Sequence, residues 1–222
     1  LEVDKEEIDL FFEKKSMPVP SNIESDIFKN QFVICKSPCG ASMMGKFDGK
    51  NIVQIQDSMS DLVSVSPRNK EQKFAIDLLT DPNIPLVTLT GIAGSGKTYL
   101  TLLAAMSGIN SNQYERIVIT RSIQPVGKDI GFLPGDINDK MDPWLSPIAD
   151  NFRVAFRDVT YYEAMREKRQ IEVAPLSFIR GRTFSNTFLI VDESQNSTIH
   201  ELKTIITRVG ENSKIVLLGD IE

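Results

Sequence analysis

The sequence predicts an α/β fold in which a parallel sheet lies between layers of helices, with a small β-rich segment before it. From residue 86 onward, near-continuous apolar runs of strand length alternate with stretches of helical periodicity, which is typical of buried parallel strands joined by helices. Before residue 66, short runs are separated by turn residues, which favours an antiparallel sheet. We therefore expect an acidic lead-in with a small β-rich domain over residues 1–65 and an α/β domain over residues 66–222.

The first domain is expected to contain one short helix and three strands. As a helix, Asp4–Lys15 would place Ile8, Phe11 and Phe12 on one side and so acquire an apolar face. Asp48–Gly49 is a strong signal for a hairpin turn between two strands. The expected strands are Gln31–Cys35, Ala41–Phe47 and Asn51–Ile55.

The second domain is expected to begin with a helix and to continue as alternating strands and helices. Ser66–Pro67 indicates the start of that helix, because proline is tolerated in a first helical turn. Asp81–Pro82 ends the apolar periodicity near residue 79. The core strands are expected at Leu86–Thr90, Arg116–Thr120, Phe188–Val191 and Lys214–Leu218. The helices that alternate with them are expected at residues 97–107 and at Thr198–Val209.

A glycine-rich segment joins the first core strand to the helix after it. Gly91–Thr98 matches the pattern G-x-x-x-x-G-K-[ST], in which glycines let backbone N–H groups wrap a phosphate. Lys97 is expected to reach the β- and γ-phosphates of a nucleotide, and the Thr98 hydroxyl to bind Mg²⁺. The strand before and the helix after favour this interpretation over a glycine turn with an ordinary surface lysine. The predicted nucleotide contacts are Gly91, Ile92, Ala93, Gly94, Ser95, Gly96, Lys97, Thr98 and Tyr99.

Two carboxylates close the third core strand. Phe188–Val191 is apolar and leads directly into Asp192 and Glu193. Since ligands bind at the carboxyl ends of parallel strands, Asp192 is expected to hold Mg²⁺ with Thr98, and Glu193 to orient or deprotonate the attacking water. The predicted catalytic residues are therefore Lys97, Asp192 and Glu193. The alternative is a solvated acidic pair in a strand-to-helix turn.

Three further polar residues are candidate nucleotide contacts. Gln195 follows the acidic pair and would sense hydrolysis beside a γ-phosphate, the alternative being an ordinary polar residue at a helix start. Asp220 ends the fourth core strand and would report the nucleotide state, unless Gly219–Asp220 is only a turn. Gln72, on the helix before the first core strand, would pair with adenine N6 and N7, as amide side chains do. No N-K-x-D element is present, so guanine selectivity has no support.

Charge and composition exclude several classes of function. The chain has 222 residues and a net charge of −5, so it lacks the overall basic character of many nucleic-acid-binding proteins. No apolar run approaches the ~18–20 residues that cross a bilayer, and the acidic start does not resemble a signal peptide. We therefore expect a cytoplasmic protein that makes no membrane contact. The abrupt end at Ile221–Glu222 leads us to expect that the sequence is a piece of a longer protein.

Taken together, these motifs resemble those of known ATPases. Gly91–Thr98, Val191–Asn196 and Gly219–Asp220 resemble the Walker A, Walker B and third motifs of superfamily 1 helicases. More specifically, the chain resembles the PhoH family of ATPases over about residues 66–222. The segments that carry this second likeness are Asn69–Gln72, Gly131–Asp136, Val173–Leu176 and Arg180–Phe184.

The resemblance implies a RecA-like P-loop core that hydrolyses ATP with Mg²⁺. It also implies action on single-stranded RNA as a helicase or remodeller, with DNA as the other candidate strand. A homo-oligomeric ring is implied as well, for which a hexamer is one candidate size. In some PhoH relatives a PIN-type nuclease domain and a small linker precede the ATPase, and residues 1–65 resemble the end of such a lead-in. The acidic nuclease cluster is not recognisable, so we expect no nuclease activity.

The family pattern continues past the third motif to a late arginine, and this chain ends first. An arginine that stabilises transition-state charge on the γ-phosphate is worth about 10³–10⁵ in rate. Arg208 is one candidate, as a donor to a neighbouring subunit.

Two regions are candidate contacts for a nucleic-acid strand. Arg121 follows the second core strand and is expected to contact a backbone phosphate, the alternative being an ion pair with a local carboxylate. Residues 151–190 combine basic side chains with interleaved aromatics, which is how single strands are held without sequence choice. The alternative is a solvated helix face with aromatics in the core. The side chains concerned are Arg153, Arg157, Arg166, Lys168, Arg169, Arg180, Arg182, Tyr161, Tyr162, Phe178 and Phe184.

Two other functions stay open at this point. The nucleotide could act as a switch for protein partners without strand separation. A small-molecule kinase is the third candidate, but Glu193 suits activation of water more than transfer of phosphate to another acceptor.

Overall fold

The computed structural model of the chain describes residues 1–20, 26–56, 66–121, 150, 159–179 and 181–221. These residues form two compact units. The first contains the described residues up to 56 together with residues 66–77, and the second contains the described residues from 78 onwards. The domain boundary after residue 65 stays a prediction. None of the helices in the described ranges has the length and apolar character that crossing a bilayer requires.

The first unit contains the antiparallel sheet that the sequence predicts. Helix α1 (Lys5–Lys14) starts at Asp4, whose backbone N–H donates to the Glu7 side chain at 3.0 Å. Ile8 and Phe11 are buried, whereas Phe12, which was predicted on the same side of the helix, is 53% exposed. The sheet has the strand order β1-β4-β3-β2, with β1 at Ser16–Pro18, β2 at Phe32–Lys36, β3 at Ser42–Phe47 and β4 at Asn51–Gln54.

Helix α2 (Lys70–Thr80) begins later than predicted. The side chain of Asn69 accepts a hydrogen bond from the Gln72 N–H at 2.8 Å, and so satisfies a donor that a helix start otherwise leaves unpaired. The predicted start at Ser66–Pro67 is therefore wrong, because the cap lies three residues further on. The end agrees with the prediction, immediately before Asp81–Pro82.

The second unit confirms the predicted α/β class and has the form of a RecA-like P-loop core, with a parallel five-stranded sheet between helices. The four predicted core strands are present, and a short edge strand that was not predicted, β7, joins them. The strands are β5 (Leu86–Gly91), β6 (Arg116–Arg121), β7 (Ile171–Val173), β8 (Thr187–Asp192) and β9 (Lys214–Asp220). The described helices of this unit, after the end of α2, are α3 (Lys97–Asn110), α4 (Val159–Glu167), α5 (Leu176–Ile179) and α6 (Ile199–Ile206).

The strand order β5-β9-β8-β6-β7 decides which residues meet at the carboxyl edge of this sheet. All of its neighbouring strands are parallel, so their carboxyl ends lie on the same side. In register, Gly91 is beside Asp220, and Arg121 is beside Asp192. Strand β9 therefore lies between β5, which leads into the glycine-rich segment Gly91–Thr98, and β8, which ends at Asp192.

A buried lysine ties the amino end of β9 to the end of α2. Lys214 is 1% exposed, and its amine donates to the backbone carbonyls of Leu78 at 2.7 Å and of Asp81 at 2.8 Å. A buried carbonyl that loses its donor costs about 1–3 kcal/mol. This contact therefore helps to hold the segment that leads into β5.

We expect Lys214→Met to lower the free energy of unfolding by about 2 kcal/mol, because methionine fills a similar volume but donates no hydrogen bond to the two carbonyls. Urea unfolding followed by circular dichroism measures the change. Lys203→Met, on the exposed side of α6, is the matched control and should change stability by less than about 0.5 kcal/mol. Equal stability of the two variants would contradict the role of Lys214.

Candidate functional site

A cleft of about 550 Å³ lies at the carboxyl edge of the parallel sheet. Most of the predicted nucleotide and catalytic residues line it. From the phosphate loop and α3 these are Ala93, Gly94, Gly96, Lys97, Thr98 and Tyr99. From the other strand ends they are Asp192, Glu193, Gln195 and Asp220, together with Arg121, Leu218 and Gly219. The strand order therefore gathers residues that are up to 127 positions apart in sequence (220 − 93) around one cavity.

The phosphate loop has the backbone conformation that its glycines allow. Gly94 and Gly96 have φ angles of 75° and 90°, in the left-handed region that side chains with a Cβ rarely adopt. Gly96 caps α3 without a side-chain hydrogen bond. The N–H groups of the first turn of α3 are therefore left for a ligand, and the positive end of the helix favours an anion there.

Lys97 is held by four oxygen atoms at the base of the loop. Its amine lies 2.9 Å from the Gly91 carbonyl oxygen, 3.0 Å from that of Ile92, 3.3 Å from Ser95 Oγ and 2.6 Å from Asp220 Oδ1. Three of the predicted nucleotide contacts, Gly91, Ile92 and Ser95, do not line the cleft. They contact the Lys97 amine. A phosphate group that binds Lys97 has to compete with the Asp220 carboxylate.

Asp192 closes strand β8 in a partly buried position among other charges. Burial raises the pKa of the Asp192 carboxyl, Arg121 opposes that rise, and the neighbouring carboxylates of Glu193 and Asp220 add to it. A carboxylate in such a place is stabilised by a bound cation. Thr98 lines the same cleft, so the two residues that were predicted to bind Mg²⁺ border one cavity.

Glu193 follows Asp192 in a left-handed backbone conformation, with φ 53° and ψ 41°. Both of its carboxylate oxygens accept hydrogen bonds from side chains. Arg121 Nη2 donates to Oε1 at 2.9 Å, and Gln195 Nε2 donates to Oε2 at 2.6 Å. Glu193 is therefore placed beside the cleft with its direction set by two partners.

Gln195 links Glu193 to the strand β9. Its side-chain oxygen accepts a hydrogen bond from the backbone N–H of Asp220 at 3.2 Å, while its amide nitrogen donates to Glu193. With the two ion pairs, this gives a continuous series Lys97–Asp220–Gln195–Glu193–Arg121, which we call the edge network. The network connects the amine that was predicted to bind phosphate to the carboxylate that was predicted to activate water.

Arg121 is the site residue for which the sequence left two interpretations open, a nucleic-acid phosphate contact and an ion pair with a local carboxylate. The structure shows an ion pair with Glu193, and the phosphate contact stays a prediction. Its position at the end of β6 was visible in the sequence. The strand order that sets β6 beside β8 was not. Arg208, the other arginine considered, follows α6, where its backbone carbonyl accepts from the Phe184 N–H.

The structure does not place every predicted contact at the cleft. Gln72 belongs to the first unit, where its side-chain oxygen accepts from the Arg68 N–H at 2.8 Å, and its role toward adenine stays a prediction. Tyr162 and Phe184 are buried, so the prediction that they stack on nucleic-acid bases is wrong, because their rings face the protein core. The predicted positions that lie outside the described residues are Gly131–Asp136, Arg153, Arg157, Arg180 and the side chains of Tyr161 and Phe178.

Sequence comparisons point to one family. A profile of the PhoH-like protein family matches residues 64–222. Protein PhoH2 from Bacillus subtilis is 40% identical over 220 residues, which cover 96% of this chain and 50% of that protein. A PhoH-like protein from Synechocystis is 43% identical over 131 residues, covering 59% of this chain and 40% of that protein. Protein PhoH2 from Thermobispora bispora is 35% identical over 182 residues, covering 81% and 42%.

The chain spans about half the length of the curated relatives it matches, or less. The matched region includes the phosphate loop, the acidic strand end and the last strand of the sheet. The edge network therefore lies within the part of the chain that the family profile covers.

We expect Asp220→Asn to bind ADP about two- to fivefold more tightly than the unchanged protein when Mg²⁺ is chelated. The substitution removes the carboxylate that competes for Lys97, a partly exposed pair of the kind worth about 0.5–1 kcal/mol. Isothermal titration calorimetry measures the dissociation constant. Glu211→Gln, an exposed change of the same charge, should leave it unchanged. Weaker binding by the Asp220 variant would show that its carboxylate supports the nucleotide directly.

Proposed function

The chain belongs to the PhoH-like protein family, and on that premise we propose that it binds and hydrolyses ATP in the cleft and uses the reaction to remodel single-stranded RNA. The observation that carries the proposal is the convergence of Lys97, Asp192 and Glu193 on one cavity at the edge of the parallel sheet. PhoH-like proteins are an ATPase family, which fits a cavity with this set of side chains.

The phosphates bind to the loop and to the start of α3. Backbone N–H groups of the loop and of the first helical turn donate to the β- and γ-phosphates, and Lys97 exchanges Asp220 for phosphate oxygens. These contacts hold the γ-phosphate at the carboxyl edge, close to the ends of β8 and β9. Positioning and charge neutralisation are the main contributions that a protein makes to phosphoryl transfer.

Thr98 and Asp192 are the residues that would hold Mg²⁺. Their hydroxyl and carboxylate oxygens match the ligand preference of this cation, and burial favours a positive partner for Asp192. When bound, Mg²⁺ supplies positive charge to the phosphate oxygens.

Glu193 is the general base of the proposed reaction. It orients a water molecule and takes its proton while the water oxygen bonds to the γ-phosphorus and the bond to the ADP oxygen breaks. The products are ADP and inorganic phosphate. Gln195, which contacts both Glu193 and the backbone of Asp220, is positioned to respond when the γ-phosphate leaves.

A nucleic-acid strand is proposed as the partner on the basis of basic side chains in the second unit. Arg166, Lys168 and Arg169 lie at and after the end of α4, whereas Arg182, which follows α5, is already paired with Glu172. RNA is the proposed strand, and DNA is the alternative for the same phosphate chemistry. A homo-oligomeric ring, with a hexamer as one candidate size, is also proposed, because a neighbouring subunit can supply the arginine that stabilises transition-state charge on the γ-phosphate.

A nucleotide-dependent switch acting on protein partners is the second candidate. The burial of Tyr162 and Phe184 favours it, because two of the aromatic side chains that would otherwise stack on bases are committed to the core. In this case the edge network would report the nucleotide state without strand separation.

We expect Lys97→Ala to lose ATP binding, and Glu193→Gln to bind ATP within about twofold of the unchanged protein while its turnover falls by about 10²–10⁴. Lysine supplies charge to the bound phosphates in the ground state, whereas Glu193 acts on water during the reaction. Fluorescent-nucleotide titration and steady-state phosphate release measure the two properties separately. Normal turnover by Glu193→Gln would overturn its assignment as the base.

We expect oligo(U) to stimulate ATP hydrolysis and the stimulation to weaken steeply between about 50 and 200 mM salt, because phosphate contacts release counterions. Parallel assays with oligo(dT) compare RNA with DNA. The absence of stimulation by either strand, in a protein that hydrolyses ATP, would instead support the switch.

A further inference from the structure

We propose that Arg121 is a positioning residue that restrains Glu193 and gives it up when the guanidinium binds a phosphate group. This proposal rests on the proposed function, since it assigns a control to the same cleft. Its first basis is the ion pair at the carboxyl edge, where Arg121 Nη2 lies 2.9 Å from Glu193 Oε1. Because β6 and β8 are neighbours in register, the two side chains leave adjacent strand ends.

The ion pair between Arg121 and Glu193 has a geometry in which another anion can replace the carboxylate. Among the residues that the structure describes, the guanidinium of Arg121 donates through Nη2 alone. By contrast, Arg182 donates through both terminal nitrogens to both oxygens of Glu172, at 2.5 and 2.8 Å. The Arg121 and Glu193 side chains are 32% and 28% exposed, so a ligand can reach them. A single-point, partly solvated pair is weaker than a fork between two planar groups.

Glu193 is restrained on both oxygens. Arg121 donates to Oε1 and Gln195 donates to Oε2, so the direction from which the carboxylate can meet a water is set by these two partners. The left-handed backbone of Glu193 costs on the order of 1 kcal/mol for a residue with a Cβ, and it persists where surrounding contacts impose it. These contacts therefore fix the direction of the carboxylate.

Each end of the edge network is an ion pair between a basic side chain and a carboxylate. At one end Lys97 is paired with Asp220, and at the other Arg121 is paired with Glu193. A phosphate carries more charge than a carboxylate and offers a guanidinium two oxygens in the fork geometry that it prefers. A phosphate at Arg121 therefore releases Glu193, just as a phosphate at Lys97 releases Asp220.

Two phosphate sources fit this exchange. One is the γ-phosphate of the nucleotide, since Arg121 lines the same cleft as Lys97 and Thr98. The other is the backbone of a bound strand, which would reach the exposed part of the guanidinium. The chemistry is shared, and the two sources differ in whether an added strand is needed to release Glu193.

The first test is steady-state ATP hydrolysis by Arg121→Ala without RNA. We expect kcat to rise about two- to fivefold, the range that corresponds to loss of a partly exposed ion pair, with KM for ATP within about twofold. Arg121→Lys, which can still pair with Glu193, should stay near the unchanged protein. Arg116→Ala is the matched control, because Arg116 is on the same strand at the opposite edge and contacts Thr187.

The response to oligo(U) then identifies the source. If the Arg121→Ala enzyme is faster and no longer stimulated by oligo(U), the releasing phosphate belongs to the strand. If kcat is unchanged and a non-hydrolysable ATP analogue alone shifts the Arg121 signals in the second test, the releasing phosphate is that of the nucleotide, which is already bound at saturating ATP. A fall in kcat of tenfold or more, with unchanged circular dichroism and ADP affinity, would overturn the proposal, because Arg121 would then be required for the reaction. An unchanged kcat together with Arg121 signals that the ATP analogue leaves unmoved would overturn it as well.

A second test does not depend on turnover. In protein labelled with ¹⁵N-arginine, the guanidinium signals of Arg121 are assigned by their loss in Arg121→Lys. We expect saturating non-hydrolysable ATP analogue or oligo(U) to shift them toward their positions in Glu193→Gln. If neither ligand shifts these signals, the proposed release of Glu193 by Arg121 is wrong, even if the protein hydrolyses ATP. Conversely, shifted signals in a protein without ATPase activity would reject the proposed function and leave the exchange at Arg121 standing.

Discussion

The parallel pairing of β5, β9, β8 and β6 is the constraint on which the site depends. It brings four carboxyl ends to one edge, so that Gly91 meets Asp220 and Arg121 meets Asp192 in register. A shift of one residue in any of these strands would turn its side chains to the opposite face. The near-continuous apolar sequences of β6, β8 and β9 are buried, hold the register and leave the polar residues at the strand ends, whereas β5, at the side of the sheet, is partly exposed.

The edge combines charges that would be unfavourable if they were isolated. Asp192, Glu193 and Asp220 lie close enough for the last two to raise the pKa of the first. Lys97 and Arg121 offset this repulsion from either end of the edge network. A triphosphate adds negative charge to the same place, so its binding has to rearrange these pairs. The proposed function uses this arrangement, because it requires carboxylates that can be exchanged for phosphate.

Local sequence patterns predicted the strands whose apolar residues are buried in the core. They failed for elements whose presence or limits depend on a contact with another part of the chain. The core strands were recognised because apolar runs of this length, bounded by turn residues, are typical of buried strands. Strand β7 was missed because three residues carry little periodicity, and it exists through pairing with β6. The start of α2 was misplaced because Asn69, and not Ser66–Pro67, supplies the cap. Phe12 was predicted on the same side of α1 as Ile8 and Phe11, but it is exposed to solvent.

The sequence by itself determined the phosphate loop, the acidic strand end and the α/β class, because each depends on residues that are close together in the chain. Glycine spacing encodes a loop conformation, and an apolar run followed by carboxylates encodes a strand end at a rim. Only the tertiary structure decided that β9 lies between β5 and β8 and that β6 lies beyond β8. Strand order is a property of packing between distant segments, so the partners of Lys97 and Glu193 could not be read from local pattern. Asp220 and Arg121 became those partners through the order in which the strands assemble.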